Sequence, residues 1–174
     1  MSTIPTLIQR PQKSPTKSVL WTLFALAGLS VFFLYDLRMF SPANWDARMI
    51  SNRVFLIPHI LTAVTAILLG PIQFSTRFRR RYLPLHRLLG KVYVVCSLLA
   101  APLAIIIARN APGALVLAAL SQSTLWFVFT LAAYLTARKR QIAQHRRWMI
   151  RSYSVGCTIF VFARVTEPSL SSTI

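Results

Sequence analysis

The amino-acid sequence predicts an all-α fold, a polytopic membrane bundle of five transmembrane helices. Three observations point there: long apolar runs, a shortage of charge, and the grouping of the cations that remain. Of 174 residues, 55% are hydrophobic and only 13% are charged. A water-soluble chain of this length covers its surface with more charge than that. Lys and Arg number 20 against three acids, a balance that would also suit nucleic acid. The cations, however, cluster between the apolar runs, and this distribution argues against nucleic acid as a partner.

The five runs are residues 19–35, 54–74, 88–108, 114–137 and 148–165. A helix needs about 20 residues to cross a hydrocarbon core about 30 Å thick, so the first and last runs are near the short limit. Backbone polar groups cannot stay unpaired in lipid, which makes each run a helix. Residues 1–17 form a basic leading segment, 18–165 the bundle, and 166–174 a short tail.

Taken in order, the first run follows a long basic lead with Arg10, Lys13 and Lys17. No small-residue cleavage site follows it directly, so it is expected to stay as an anchor rather than leave as a signal peptide. In the next loop, Ser41 is a candidate N-cap with Pro42 at the first helical position. Phe40, Trp45 and Met49 would share one side of a short interfacial helix there. The second run contains Gly70-Pro71, expected to loosen its cytoplasmic end. The third and fourth runs are joined by RNAPG, a tight turn that predicts an antiparallel hairpin. The fifth follows the cationic segment ARKRQIAQHRR.

Assigning the loops to alternate sides puts fifteen of the 20 cations on one side and five on the other. Cytoplasmic loops are the richer in Lys and Arg, so the N-terminus is predicted inside and the C-terminus outside, as in a multi-pass protein of the cell membrane. Clusters such as RFRRR beside a span are suited to anionic lipid headgroups.

Each of the three histidines heads or sits on a stripe of small and weakly polar residues at three- and four-residue steps. The stripes are His59, Thr62, Ala63, Ala66, Gly70 and Gln73; His86, Gly90, Tyr93, Ser97, Ala101 and Ala104; and His145, Met149, Ser152, Gly156 and Ala163. Small residues let helices approach closely in lipid, so these faces are expected to point inward. Cys96 and Cys157 fall in the middle of apolar runs and are read as small filler, not a disulfide framework.

Ionisable groups at membrane depth are costly and are functional candidates by default. His86 and His145 enter from the same side on parallel helices, which would suit a b-type haem. Gly90, one turn past His86, would leave room for a flat macrocycle, with Tyr93 beyond it. Arg87 and Arg146 are candidates to pair with propionates, although orientation alone also accounts for those arginines. His59 is expected about 8 Å deep from the opposite side, so three histidines cannot meet on one metal, and no metal site is assigned. No residue is assigned as catalytic. There is no G-x-S-x-G, no His-Glu-x-x-His and no paired carboxylate. The acids Asp36, Asp46 and Glu167 are all predicted outside, so a carboxylate-based proton path is not supported. HRLLGKVY and HRRWMIRSY form a weak repeat that chance or interface chemistry explains more simply than duplication.

The set PHILTAVTAILLGPIQF, LHRLLGKVY and QHRRWMIRSY with a later FAR resembles the bacterial and fungal membrane proteins gathered as domain-of-unknown-function family 2306. The resemblance covers residues 55–164 and rests on His59, Gly70, Pro71, Gln73, Phe74, His86, Arg87, Gly90, Tyr93, His145, Trp148, Met149, Arg151 and Arg164. It implies a multi-span helical membrane protein and supplies no ligand. Members of the family often extend further at the C-terminus, which leaves open a shortened product ending at Ile174.

Three function classes stay open on the sequence. The first is a redox module with haem or quinone near His86 and His145. The second is a structural or partner-binding subunit, with another membrane protein or a second copy as partner. The third is a small-solute or proton pathway using His59, Gln73 and Arg164, with Arg151 as a further candidate.

Overall fold

A computed structural model describes residues 47–109 and 113–165, all of them in helices or the short turns between them. The first apolar run, Ser41, Pro42, and the tail lie outside the described residues. The elements are α1 (Ala47–Ser51), α2 (Arg53–Phe74), α3 (Thr76–Arg81), α4 (Leu83–Ala108), α5 (Gly113–Arg138) and α6 (Ile142–Val165). A short helix therefore does occupy the end of the first loop.

α2, α4 and α5 are long and apolar enough to cross a membrane, α5 over Val116–Arg138. α6 carries Arg146, Arg147 and Arg151 in its first half and does not meet that standard. The described residues are thus all helix or turn, with three candidate spans.

The helix ends follow local chemistry more than hydropathy. α4 starts at Leu83, with Pro84 in its first turn, five residues before the apolar run. Proline fits there because the first-turn N–H groups have no intrahelical partner. α6 likewise starts at Ile142, six residues before its apolar run. Hydrogen bonding propagates a helix through polar residues as readily as through apolar ones. α3 is capped by Ser75, whose Oγ accepts from the Phe78 N–H at 3.2 Å. Two residues past the end of α5, Arg140 takes a left-handed φ of 58°. There the Gln141 N–H donates to the Thr136 carbonyl at 2.9 Å and the Arg140 N–H to Ala137 at 3.0 Å. Those two bonds are the Schellman closure, normally built on glycine.

Gly70-Pro71 does not break α2, which runs on to Phe74. Proline lacks an N–H, so the Ile67 carbonyl four residues back loses its intrahelical donor. The Tyr153 hydroxyl of α6 donates to that carbonyl at 3.1 Å. Gly70 makes the approach possible, since a Cβ there would lie 1.9 Å from Tyr153 Cε2. The pair is a notch into which Tyr153 docks.

α2 packs on α4, α4 on α5 and α5 on α6, and a lighter contact between α2 and α6 closes the ring. Short connections make sequential helices antiparallel, so α4 and α6 run the same way across the diagonal. The histidine stripes line the interior: Ala66, Tyr93, Ser97, Ala101, Met149 and Ser152 are all buried. Leu61, Leu68, Leu88, Val95, Leu99, Leu125, Val128 and Leu135 are exposed on the outside. A protein with small and polar groups within and bare aliphatic groups without is arranged for a hydrocarbon solvent.

Candidate binding site at the histidine end of the bundle

The last turn of α2 lies against the first turns of α4, and this brings Gln73 to His86. Gln73 is buried. In the amide orientation that satisfies every contact, its nitrogen donates to His86 Nδ1 at 2.8 Å and to the His86 carbonyl at 3.2 Å. Its oxygen then accepts from the Gly90 N–H at 3.2 Å. That orientation makes Nδ1 of His86 an acceptor, so the proton of the neutral ring sits on Nε2. The amide also lies 3.5 Å from where a Gly90 Cβ would be. The space beside Gly90 is thus used by Gln73.

His145 on α6 is fixed differently. Its Nδ1 lies 2.8 Å from the Ala133 carbonyl of α5. A carbonyl only accepts, so Nδ1 carries a proton, and the tautomer that leaves a lone pair on the neutral ring leaves it on Nε2. The two imidazoles enter from the same end of diagonal helices, and His86 lies within electrostatic reach of His145, Arg79 and Arg87. The pair therefore presents one ring-nitrogen donor and one ring-nitrogen acceptor.

The other sequence candidates separate. Arg87 and Arg146 are exposed. Arg151 is exposed too and stacks on the Trp148 ring, 4.7 Å from its centroid. Tyr93 lies about two turns beyond His86, buried and 2.9 Å from the Ser152 hydroxyl. His59 sits toward the other end of α2, about 21 Å along the helix from Gln73, with Nδ1 donating to the Ala100 carbonyl at 2.9 Å. The structure does not bring His59 and Gln73 together. The side chain of Arg164 lies outside the description. Among the described residues no group of three or more His, Cys, Asp or Glu is placed to hold a metal ion. Those residues also include no Asp or Glu, so their arginines have no carboxylate partner there.

Arg79, Trp126, Thr130, Ser152 and Tyr153 were not marked by the sequence as site residues. The repeat HRLLGKVY/HRRWMIRSY carried a signal for Tyr153. Each half starts with a histidine tethered through Nδ1 and ends with a buried tyrosine bonded to another helix.

A ring of apolar-coated helices with an inward polar lining defines an integral membrane protein of the polytopic helical class. The family described as "Predicted membrane protein (DUF2306)" matches residues 55–172, more than half of the chain, and the protein belongs to that family. No curated protein matches the sequence. No solved structure matches it either.

Proposed function

We propose that the bundle is a membrane redox-ligand module that binds a quinone-type head group between His86 and His145. The observation that supports this most is the pair of different Nδ1 tethers, an amide nitrogen at His86 and a carbonyl at His145, which favour opposite tautomers at one end of the bundle. A quinone carbonyl accepts a hydrogen bond, as Nε2–H of His86 offers. A quinol hydroxyl donates one, as Nε2 of His145 can accept. The exposed aliphatic sides of the helices suit an isoprenoid tail arriving from the bilayer.

A b-type haem is the second reading, favoured by the placement of both histidines on diagonal, parallel helices. It needs a lone pair on both Nε2 atoms, and therefore a Gln73 amide turned so that its oxygen faces His86 Nδ1. Gln73 would also have to give up the space beside Gly90 that it fills.

In this reading the chain has five spans with its N-terminus in the cytoplasm, since that arrangement gathers the cations on one side. The exposed Arg77, Arg80, Arg81, Arg87 and Lys91 would then meet anionic headgroups.

The test is to purify the protein in mild detergent, extract it with organic solvent and identify isoprenoid quinones by mass spectrometry. A reduced-minus-oxidised visible spectrum is recorded in parallel. The expected result is a co-purifying quinone that falls at least about tenfold in His86→Ala and in His145→Ala. A Soret band lost in the same variants would replace the quinone by haem. Folded protein with neither ligand would leave the structural-subunit reading in its place.

A further inference from the structure

The diagonal helices α4 and α6 run the same way and in register. The Tyr93 and Ser152 hydroxyls, 2.9 Å apart, join residues separated by 59 in the chain. His86 and His145 keep that separation, each as the fourth residue of its helix. A residue of α4 therefore lies at about the depth of the α6 residue 59 further on. On α4 the outward row at one-turn steps is Leu88, Val92, Val95 and Leu99, all exposed. The matching row on α6 is Arg147, Arg151, Ser154 and Thr158, also all exposed. At the same four levels, one side of the bundle is aliphatic and the other is polar throughout. Hydrocarbon alone does not suit that second face.

The row itself states what suits it. Arg147 and Arg151 are one turn apart on one face, so both can reach a single neighbour. Arg151 stacks on Trp148, 4.7 Å from the ring centroid, and that ring packs on Phe129 of α5 with 5.5 Å between centroids. Trp148 precedes Arg151 by one turn, so the stack directs the guanidinium back toward the start of the helix. The bilayer surface lies at that end, and long cationic side chains reach for it. Among the described residues there is no Asp or Glu to pair with either arginine. Deeper, the Ser154 side chain is exposed, whereas Thr158 spends its proton on the Ser154 carbonyl at 2.8 Å. From the surface inward the face thus offers two cations, one available hydroxyl and one hydroxyl already satisfied.

A phospholipid carries its groups in the matching order: phosphate, ester carbonyl, acyl chain. Guanidinium N–H groups bind phosphate oxygens in pairs, and a serine hydroxyl donates to an ester carbonyl. We propose that the outward face of α6 is a seat for one anionic phospholipid, with its phosphate on Arg147 and Arg151 and its glycerol ester beside Ser154. This goes beyond the general attraction of cationic turns to headgroups, because it fixes a single lipid on one helix. A second copy of the chain suits the face poorly. Copies related by a two-fold axis along the bilayer normal would set each arginine against its own counterpart, and like charges repel. The seat does not depend on what binds between His86 and His145.

The test mixes the whole chain, purified in mild detergent, with equal amounts of phosphatidylglycerol and phosphatidylcholine of the same acyl chains. Native mass spectrometry should show one phosphatidylglycerol retained under activation that strips phosphatidylcholine. Retention should fall at least about tenfold when Arg147→Gln and Arg151→Gln are combined. It should change by less than about twofold when Arg77→Gln and Arg80→Gln remove the same charge from α3. A phosphatidylglycerol with a photoreactive acyl chain then locates the lipid on the unsubstituted protein, with crosslinks expected on α6 near Ser154 and Thr158. No preferential retention of phosphatidylglycerol, or an equal loss in the two double variants, would overturn the proposal. So would crosslinks as heavy on the Leu88–Leu99 face of α4, or a second chain retained in place of the lipid.

Discussion

Among the described glycines, Gly70 is the one where an added carbon would meet the closest neighbour. Alanine in a helix is favoured over glycine by about 1 kcal/mol. At Gly70 the new methyl would lie 1.9 Å from the Tyr153 ring, so the ring would have to leave its notch. Overpacking costs about 1–3 kcal/mol, and the displaced tyrosine hydroxyl loses about 1 kcal/mol more. The clash outweighs the propensity gain. Gly70→Ala is expected to lower the unfolding midpoint in detergent, whereas a neutral outcome would mean that Tyr153 does not dock there. Arg140 gives the opposite case. It holds a φ of 58° that costs a residue with a Cβ about 1 kcal/mol or more. Arg140→Gly should stabilise the protein by about 1 kcal/mol, readable as a raised midpoint. Gln73 controls the chemistry of His86. A carboxylate at 73 accepts and cannot donate, so Gln73→Glu should move the His86 proton from Nε2 to Nδ1. 15N chemical shifts of the imidazole would show that move, and unchanged shifts would refute the assigned amide orientation.

Between elements, the contact of α6 with α2 rests on Tyr153 bonding a carbonyl that Pro71 leaves without its helical donor. The two residues should therefore be coupled. Tyr153→Phe is expected to cost about 1 kcal/mol beside Pro71. In a Pro71→Ala background the Ile67 carbonyl regains an N–H partner, and the same substitution should cost less. A double-mutant cycle should give a coupling of about 0.5 kcal/mol or more. Additive costs would show that the proline plays no part in docking α6. Two other helix pairs, α2 with α4 and α5 with α6, use the same device of a side chain bonded to a backbone carbonyl, in His59 to Ala100 and His145 to Ala133. Such bonds are favoured in lipid because the alternative is an unsatisfied polar group in hydrocarbon.

For the whole molecule, the exposed cations put the predicted orientation to the test. The turns at α3 and after α5 carry Arg77, Arg80, Arg81, Arg138, Lys139 and Arg140 on exposed positions. If both lie in the cytoplasm, a cysteine at Arg80 or at Lys139 should react with a membrane-impermeant maleimide only after the cells are opened. Labelling from outside intact cells would invert the topology. Cys96 and Cys157 are only partly exposed, within α4 and α6, so they are expected to give little background.

Much of this was legible in the chain itself. Composition and the length of the apolar runs fixed the solvent, and three- and four-residue periodicity named the faces that turn inward. Both follow from local properties that each helix carries alone. Helix starts at Leu83 and Ile142 were not legible, because hydropathy marks where lipid begins and not where hydrogen bonding does. Gly70-Pro71 was legible as a break in a ladder, yet only the neighbour on α6 shows that the gap is filled. The imidazole tautomers are likewise decided by which carbonyl or amide the fold brings to Nδ1. A sequence records that histidines are present. Which nitrogen keeps the proton depends on a partner from another helix, and only the packed bundle supplies it.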